Sequence, residues 1–240
     1  MTPDQIHDDL RDPARWFTEV VRSSLGDNLV AVAVYGPAVT KIFDPREHRI
    51  HVLIVTESRD VDGLLRLAEH HRTATKRMIA PPLVTTAKAM AKSRDVFPLE
   101  WLDIAHYHVV VHGELSLACD QFDPRHVRMQ CERDLRSLDI QLQRGILASG
   151  GKPRRIDRLE REAADTLIRV MRGIAHLGGD RMEHLPEEVC DVCGRVTGLD
   201  LRGTRQAIAI GGRHDLETCR WLVQEIAALA EWVDSFKVSA

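Results

Sequence analysis

The stretch LVAVAVYGPAVTKIFDPREHRIHVLIVTE, residues 29–57, decides the fold. Two apolar, β-branched runs, residues 29–35 and 50–56, flank a connection that holds Gly36, Pro37, Asp44 and Pro45. Runs of this length and composition read as buried strands. The first ends in Tyr35-Gly36-Pro37, so the backbone turns sharply where it leaves the sheet.

Working outward, residues 12–25 read as a helix. Asp12 is its N-cap and Pro13 its first helical position, Trp16, Phe17, Val20, Val21 and Leu25 lie on one face, and Gly26 ends it. Downstream, residues 61–78 read as one helix with Leu64, Leu65, Leu67 and Ala68 inward, and His70 and His71 on a solvated face. Pro81-Pro82 breaks the chain. Residues 83–85 read as a short strand, 86–93 as a short helix, and 109–111 as a strand closed by His112-Gly113. Between them, residues 99–104 suit either a strand with an acid at each end, Glu100 and Asp103, or a short helix.

After Asp120 the apolar period lengthens from two to near 3.6. Asp123-Pro124 is a helix start, and Val127, Cys131, Leu135, Leu138, Leu142 and Ile146 share one face of a helix over residues 125–147. Ser149-Gly150-Gly151-Lys152-Pro153 reads as a linker. Further helices are predicted over 156–177, 186–196, 201–210 and 214–236. The expected domains are an α/β unit, 1–120, and an all-α unit, 121–240.

The whole chain narrows the classes. With 240 residues, 44% hydrophobic and 29% charged, it is long enough for a real core in one large or two small domains. A formal net charge of −3 gives no reason to expect nucleic acid as a partner. No apolar run is of membrane-spanning length, and the start, MTPDQIHDDLRDP, is unlike a secretory signal. Five scattered cysteines favour a reducing, cytoplasmic setting.

The opening stretch resembles the nucleotidyltransferase superfamily, the fold of DNA polymerase beta and the aminoglycoside nucleotidyltransferases. In that superfamily a strand ends in Gly-Ser, a short helix follows, and the next strand carries Asp-x-Asp. The Gly-Ser loop holds the triphosphate, and the carboxylates hold two Mg²⁺ ions. Here the glycine is Gly36, but Pro37 stands at the serine position and Arg49 and His51 at the carboxylate positions. Residues 93–115 resemble the "DvFPlEfldik…h.vlyGe" segment of a bacterial group of predicted nucleotidyltransferases. Asp95, Phe97, Pro98, Glu100, Leu102, Asp103, Ile104, His108, Gly113 and Glu114 fit it. Residues 131–147 resemble "cEreLrgkllrLRqgyL" of the same group. The resemblance implies a small mixed sheet of nucleotidyltransferase type followed by a helical bundle. It makes Glu100 or Asp103 the remnant third carboxylate, which would take the proton from the attacking hydroxyl.

With a cation and an imidazole where the superfamily has two acids, a divalent metal is not expected and an anion is. The favoured reading is a catalytically degenerate nucleotidyltransferase-like protein. It would bind a nucleotide, another phosphate-bearing ligand or a protein partner, with Gly36, Pro37, Arg49 and His51 as ligand-binding residues and no cofactor. Two enzyme readings stand beside it. In one, an active Mg²⁺-dependent nucleotidyltransferase uses relocated carboxylates, Asp44 and Glu47. In the other, Arg169 or Arg172 with His176 resembles the Arg–His motif of HEPN ribonucleases. Cys190-x-x-Cys193 has no second pair, only Cys219 and His184 nearby, and reads as two core thiols on one helix face rather than zinc ligands.

Overall fold

A computed structural model describes residues 6–40, 43–46, 48–118, 122–180, 186–209 and 215–238. The chain divides into two compact units, Met1–Arg94 with Asp103–Gln121, and Asp95–Leu102 with Phe122–Ala240.

The first unit is built on a four-stranded sheet in the order β3-β2-β1-β4. Its strands are β1 (Leu29–Tyr35), β2 (His51–Thr56), β3 (Leu83–Thr86) and β4 (His108–Gly113). β1 pairs antiparallel with both β2 and β4, and β2 pairs parallel with β3, so the sheet is mixed. Val32, Val34, Val52, Ile54 and Val109 point to the face that packs with Leu10, Phe17 and Val21 of helix α1 (Asp8–Leu25). Ala31, Ala33, Leu53 and Val55, alternating with them, are buried as well. A strand buried on both faces reads as an unbroken apolar run, which is why residues 29–35 were legible. Each large side chain buried in full here contributes about 1.5–3 kcal/mol. Gly113 ends β4 at φ +70°, and a Cβ there would collide with the Val30 carbonyl oxygen.

Three local expectations are corrected in this unit. Helix α1 begins at Asp8, with Pro13 inside it rather than at its start. Leu10, fully buried, holds the extra N-terminal turn in place, and Pro13 forfeits only its own N–H bond. The single helix expected over 61–78 is two, α2 (Val61–Ala68) and α3 (His71–Lys76), broken at His70 (φ −89°, ψ −1°). Of the four residues expected inward on α2, only Leu67 is buried; Leu65 is 62% exposed. Residues 99–104 take the helical of the two readings offered, within α5 (Pro98–His106), and α4 (Ala87–Ser93) forms where a short helix was expected.

Every regular element described after Pro124 is a helix: α6 (Pro124–Ser149), α7 (Pro153–Leu177), α8 (Pro186–Thr197), α9 (Arg202–Ile208) and α10 (Leu216–Ser235). Asp123 caps α6 by accepting the Arg125 N–H at 2.8 Å, and Gly150 ends it at φ +58°, the left-handed cap that glycine takes at least cost. Val127, Cys131, Leu135 and Leu142 of α6, Leu167, Met171 and Ile174 of α7, and Leu222, Ile226 and Leu229 of α10 are buried and form the core. Leu99 and Leu102 are buried too, and the Leu99 N–H donates to Gln130 Oε1 at 2.9 Å.

Candidate functional site

The end of the sheet where β1 stops and β2 starts gathers the expected ligand-binding residues. Gly36 leaves β1 at φ +72° and opens a 3₁₀ turn, Gly36–Val39, with Pro37 as its second residue. The Gly36 N–H donates to the Tyr107 carbonyl at 2.9 Å. Tyr107 N–H in turn donates to the Asp103 carbonyl at 3.0 Å, which ties the end of α5 to the turn. In register, Tyr35 stands opposite His51 on one side and His108 on the other. Directly opposed residues share a face, so the sheet ends in a row His51–Tyr35–His108. The Tyr35 and His51 rings lie 5.5 Å apart. His108 Nδ1 is 2.8 Å from the Ile104 carbonyl and 3.2 Å from that of Ala105, and donates to them. Tyr35 and His108 were not singled out as site residues from the sequence; the period-two register of β1 with its neighbours is the signal that places them here.

The electrostatics of this end differ from expectation. Burial, and then the neighbouring charge of His48, push His51 below the ordinary imidazole range. His51 is therefore neutral at pH 7, and burial raises Tyr35 so that it keeps its proton. Arg49 and His51 flank Ile50, which is fully buried and clamped by Met78 O (2.8 Å) and Ala80 N (3.0 Å). The Arg49 guanidinium is exposed and turns back on its own loop, donating to the carbonyls of His48 (3.0 Å) and Pro45 (3.3 Å). The expected electropositive pair is thus one solvated cation held by loop carbonyls and one neutral ring.

The carboxylate candidates are distributed elsewhere. Glu100 belongs to the helical unit, on α5 and not on a strand. Its Oε2 accepts from Gln130 Nε2 at 2.7 Å, and its Oε1 lies 3.7 Å from Arg169. Asp103 belongs to the sheet unit. Asp44 accepts the Arg46 N–H at 2.8 Å and shapes the loop; Glu47 lies outside the described residues. Magnesium takes oxygen donors, and the side chains at this end, Pro37, Arg49 and His51, do not fit it. Among the described residues no group of three His, Cys, Asp or Glu side chains is placed to hold a metal ion.

Among the helical candidates, His176, Cys190 and Cys193 are buried, while Arg169 and Arg172 are half-buried. His176 is 2% exposed on the inner face of α7, and Arg169 faces Glu100. A general acid or base must reach its substrate, and an imidazole so buried does not. Cys190 and Cys193 are fully buried on α8, and desolvation pushes the Cys193 thiol up to about 12, so these are inert thiols. His184 lies outside the described residues. No helix among the described residues is long and apolar enough to cross a membrane.

A small mixed sheet with a turn at Gly36, joined to a helical bundle, is a nucleotidyltransferase-type fold. Among solved structures, the chain is similar to a spectinomycin adenyltransferase from Enterococcus faecialis, solved with ATP and spectinomycin. The TM-score is 0.55 and the identity 9%, over 93% of this chain and 99% of that one. At that identity the likeness is one of fold. No protein-family model matches the chain, and no curated protein matches it.

Proposed function

We propose that this protein is a catalytically degenerate nucleotidyltransferase-like protein. In this reading it binds a nucleotide or another phosphate-bearing ligand, without metal, at the Gly36–His51 end of its sheet. The observation that carries the proposal is the residue set there. A proline, an exposed arginine and a neutral histidine occupy the positions that the resemblance assigns to a phosphate-holding serine and two metal-holding carboxylates. Gly36 lets backbone approach a ligand closely, and the Arg49 guanidinium has donors beyond those its loop carbonyls take. The structural neighbour was solved with ATP, which makes ATP the first probe.

The experiment is calorimetric titration of ATP in excess chelator, with wild type and Arg49→Asp. Binding by wild type, lost in Arg49→Asp, supports the proposal. No binding by wild type, or equal binding by Arg49→Asp, overturns it and leaves a protein-interaction scaffold. A parallel incubation with labelled ATP and Mg²⁺ or Mn²⁺ tests degeneracy: chelator-sensitive transfer of label would restore the enzyme reading, in which Asp44 and Glu47 supply the carboxylates.

A further inference from the structure

The other end of β2 carries a cavity that none of the above uses. It lies at the carboxyl ends of the parallel strands β2 and β3, beside the start of α2, and its volume is about 300 Å³. In register, Leu29 pairs with Thr56 while Tyr35 pairs with His51, so the length of β2 separates this cavity from Gly36. Crevices outside the carboxyl ends of strands are where α/β sheets bind ligands, and 300 Å³ sits at the lower edge of ligand-pocket volumes.

The lining has two chemistries. Leu25, Leu64, Val84 and Ala89 form an apolar wall, and Val61 at the mouth is 69% exposed. The polar groups are mostly committed within the protein. Thr56 Oγ1 donates to the Thr85 carbonyl at 3.3 Å, and Thr86 Oγ1 accepts the Ala89 N–H at 3.1 Å. Asp60 caps α2 by accepting the Gly63 N–H at 2.9 Å, and it lies 3.5 Å from Arg66. Arg59 lines the same cavity, and its guanidinium has no partner among the described residues. An apolar wall with one unanswered cation at its mouth suits a ligand with an apolar body and one negative charge. A dianion would meet Asp60 as well, which favours a carboxylate over a phosphate ester.

We propose that this cavity is a binding site for a small amphipathic carboxylate, an acyl or aryl acid. Its body would lie on Leu25, Leu64, Val84 and Ala89, and its carboxylate on Arg59. Leu64, which the sequence pattern placed inward on α2, is then part of the wall of a pocket.

The test uses the full chain with isotope-labelled backbone and methyl groups, titrated with hexanoate and benzoate and with their uncharged amides. The expected result is saturable shifts clustered at Leu25, Leu64, Val84 and Ala89. The acids should bind about fivefold more tightly than the amides, the scale of one exposed charge contact. Arg59→Met, an exposed change, should remove that difference, and Ala89→Leu, which fills the cavity from a helix, should weaken acids and amides alike. The proposal is overturned by shifts that do not saturate by about 10 mM, by shifts centred elsewhere, or by an acid preference that survives Arg59→Met.

Discussion

Replacing Glu225 tests how the helical unit is tied together. Helix α9 starts after Leu201, whose side chain makes no capping bond. The missing cap comes from α10: Glu225 Oε1 accepts the Gly203 N–H at 2.5 Å, and Oε2 accepts the Thr204 N–H at 2.9 Å and the Thr204 hydroxyl at 2.8 Å. Glu225 is 5% exposed and Thr204 fully buried. Glu225→Ala removes the acceptor for two backbone donors and a hydroxyl in a largely buried site. Each buried donor left unmet costs about 1–3 kcal/mol, and the losses are not independent, so the expected destabilisation is ~3–5 kcal/mol. Glu225→Gln keeps the shape and one oxygen but turns an amide NH₂ toward an N–H or hydroxyl hydrogen, for an expected loss of about half as much. The assay is urea unfolding followed by far-UV circular dichroism at pH 7, with the slope checked for constancy. A loss below about 1 kcal/mol for Glu225→Ala, or a larger loss for Gln than for Ala, would refute the cap.

Other expectations concern buried groups of the same unit. Glu160 on α7 is fully buried, and desolvation, then Asp215 and Asp157, push its carboxyl up to about 7. The folded state therefore holds this proton more tightly than the unfolded chain. The associated stability is fully present below the ordinary value of about 4.5 and is lost as pH rises through about 7. Glu160→Gln does not titrate, so its stability relative to wild type should climb by ~2 kcal/mol, allowing for solvent screening, between pH 4.5 and pH 8 in thermal melts; a flat difference would refute it. At Gly173 on α7 a Cβ would collide with Leu99 Cδ2 and lie 2.7 Å from Cys131 Sγ. Gly173→Ala should cost about 1–2 kcal/mol in urea unfolding, overpacking outweighing the gain in helix propensity; unchanged or increased stability would count against that seating of Leu99.

The core of this protein was legible because period carries it. The run 29–35 matches β1 in full, and the three- and four-residue spacing of Val127, Cys131, Leu135, Leu138 and Leu142 marks the buried face of α6. What was illegible depends on partners distant in sequence. Asp12-Pro13 has the local form of a helix start, yet burial of Leu10 sets the true one. Glu100 has the local form of a remnant catalytic acid, yet Gln130 and Arg169 engage it. Leu201 offers no cap, and the residue that supplies it lies on another helix. Strand alternation would put Arg49 and His51 on one face, but β2 begins only at His51 and Arg49 stands in the loop before it. Alternation says nothing of loop carbonyls that capture a guanidinium or of burial that discharges an imidazole.

The fold and the candidate sites of this protein rest on different residues. The sheet is held by Val32, Val34, Val52, Ile54 and Val109, all in strand interiors. The residues that could bind or react stand at strand ends. Arg49 and His51 flank a clamped Ile50, and Arg59 lies beyond Thr56. An end residue can be exchanged for one of opposite charge without opening the packed face, because its neighbours in the strand supply the burial. A chain 9% identical to an adenyltransferase can therefore share its fold, while the side chains at the two ends of β2 are free to differ.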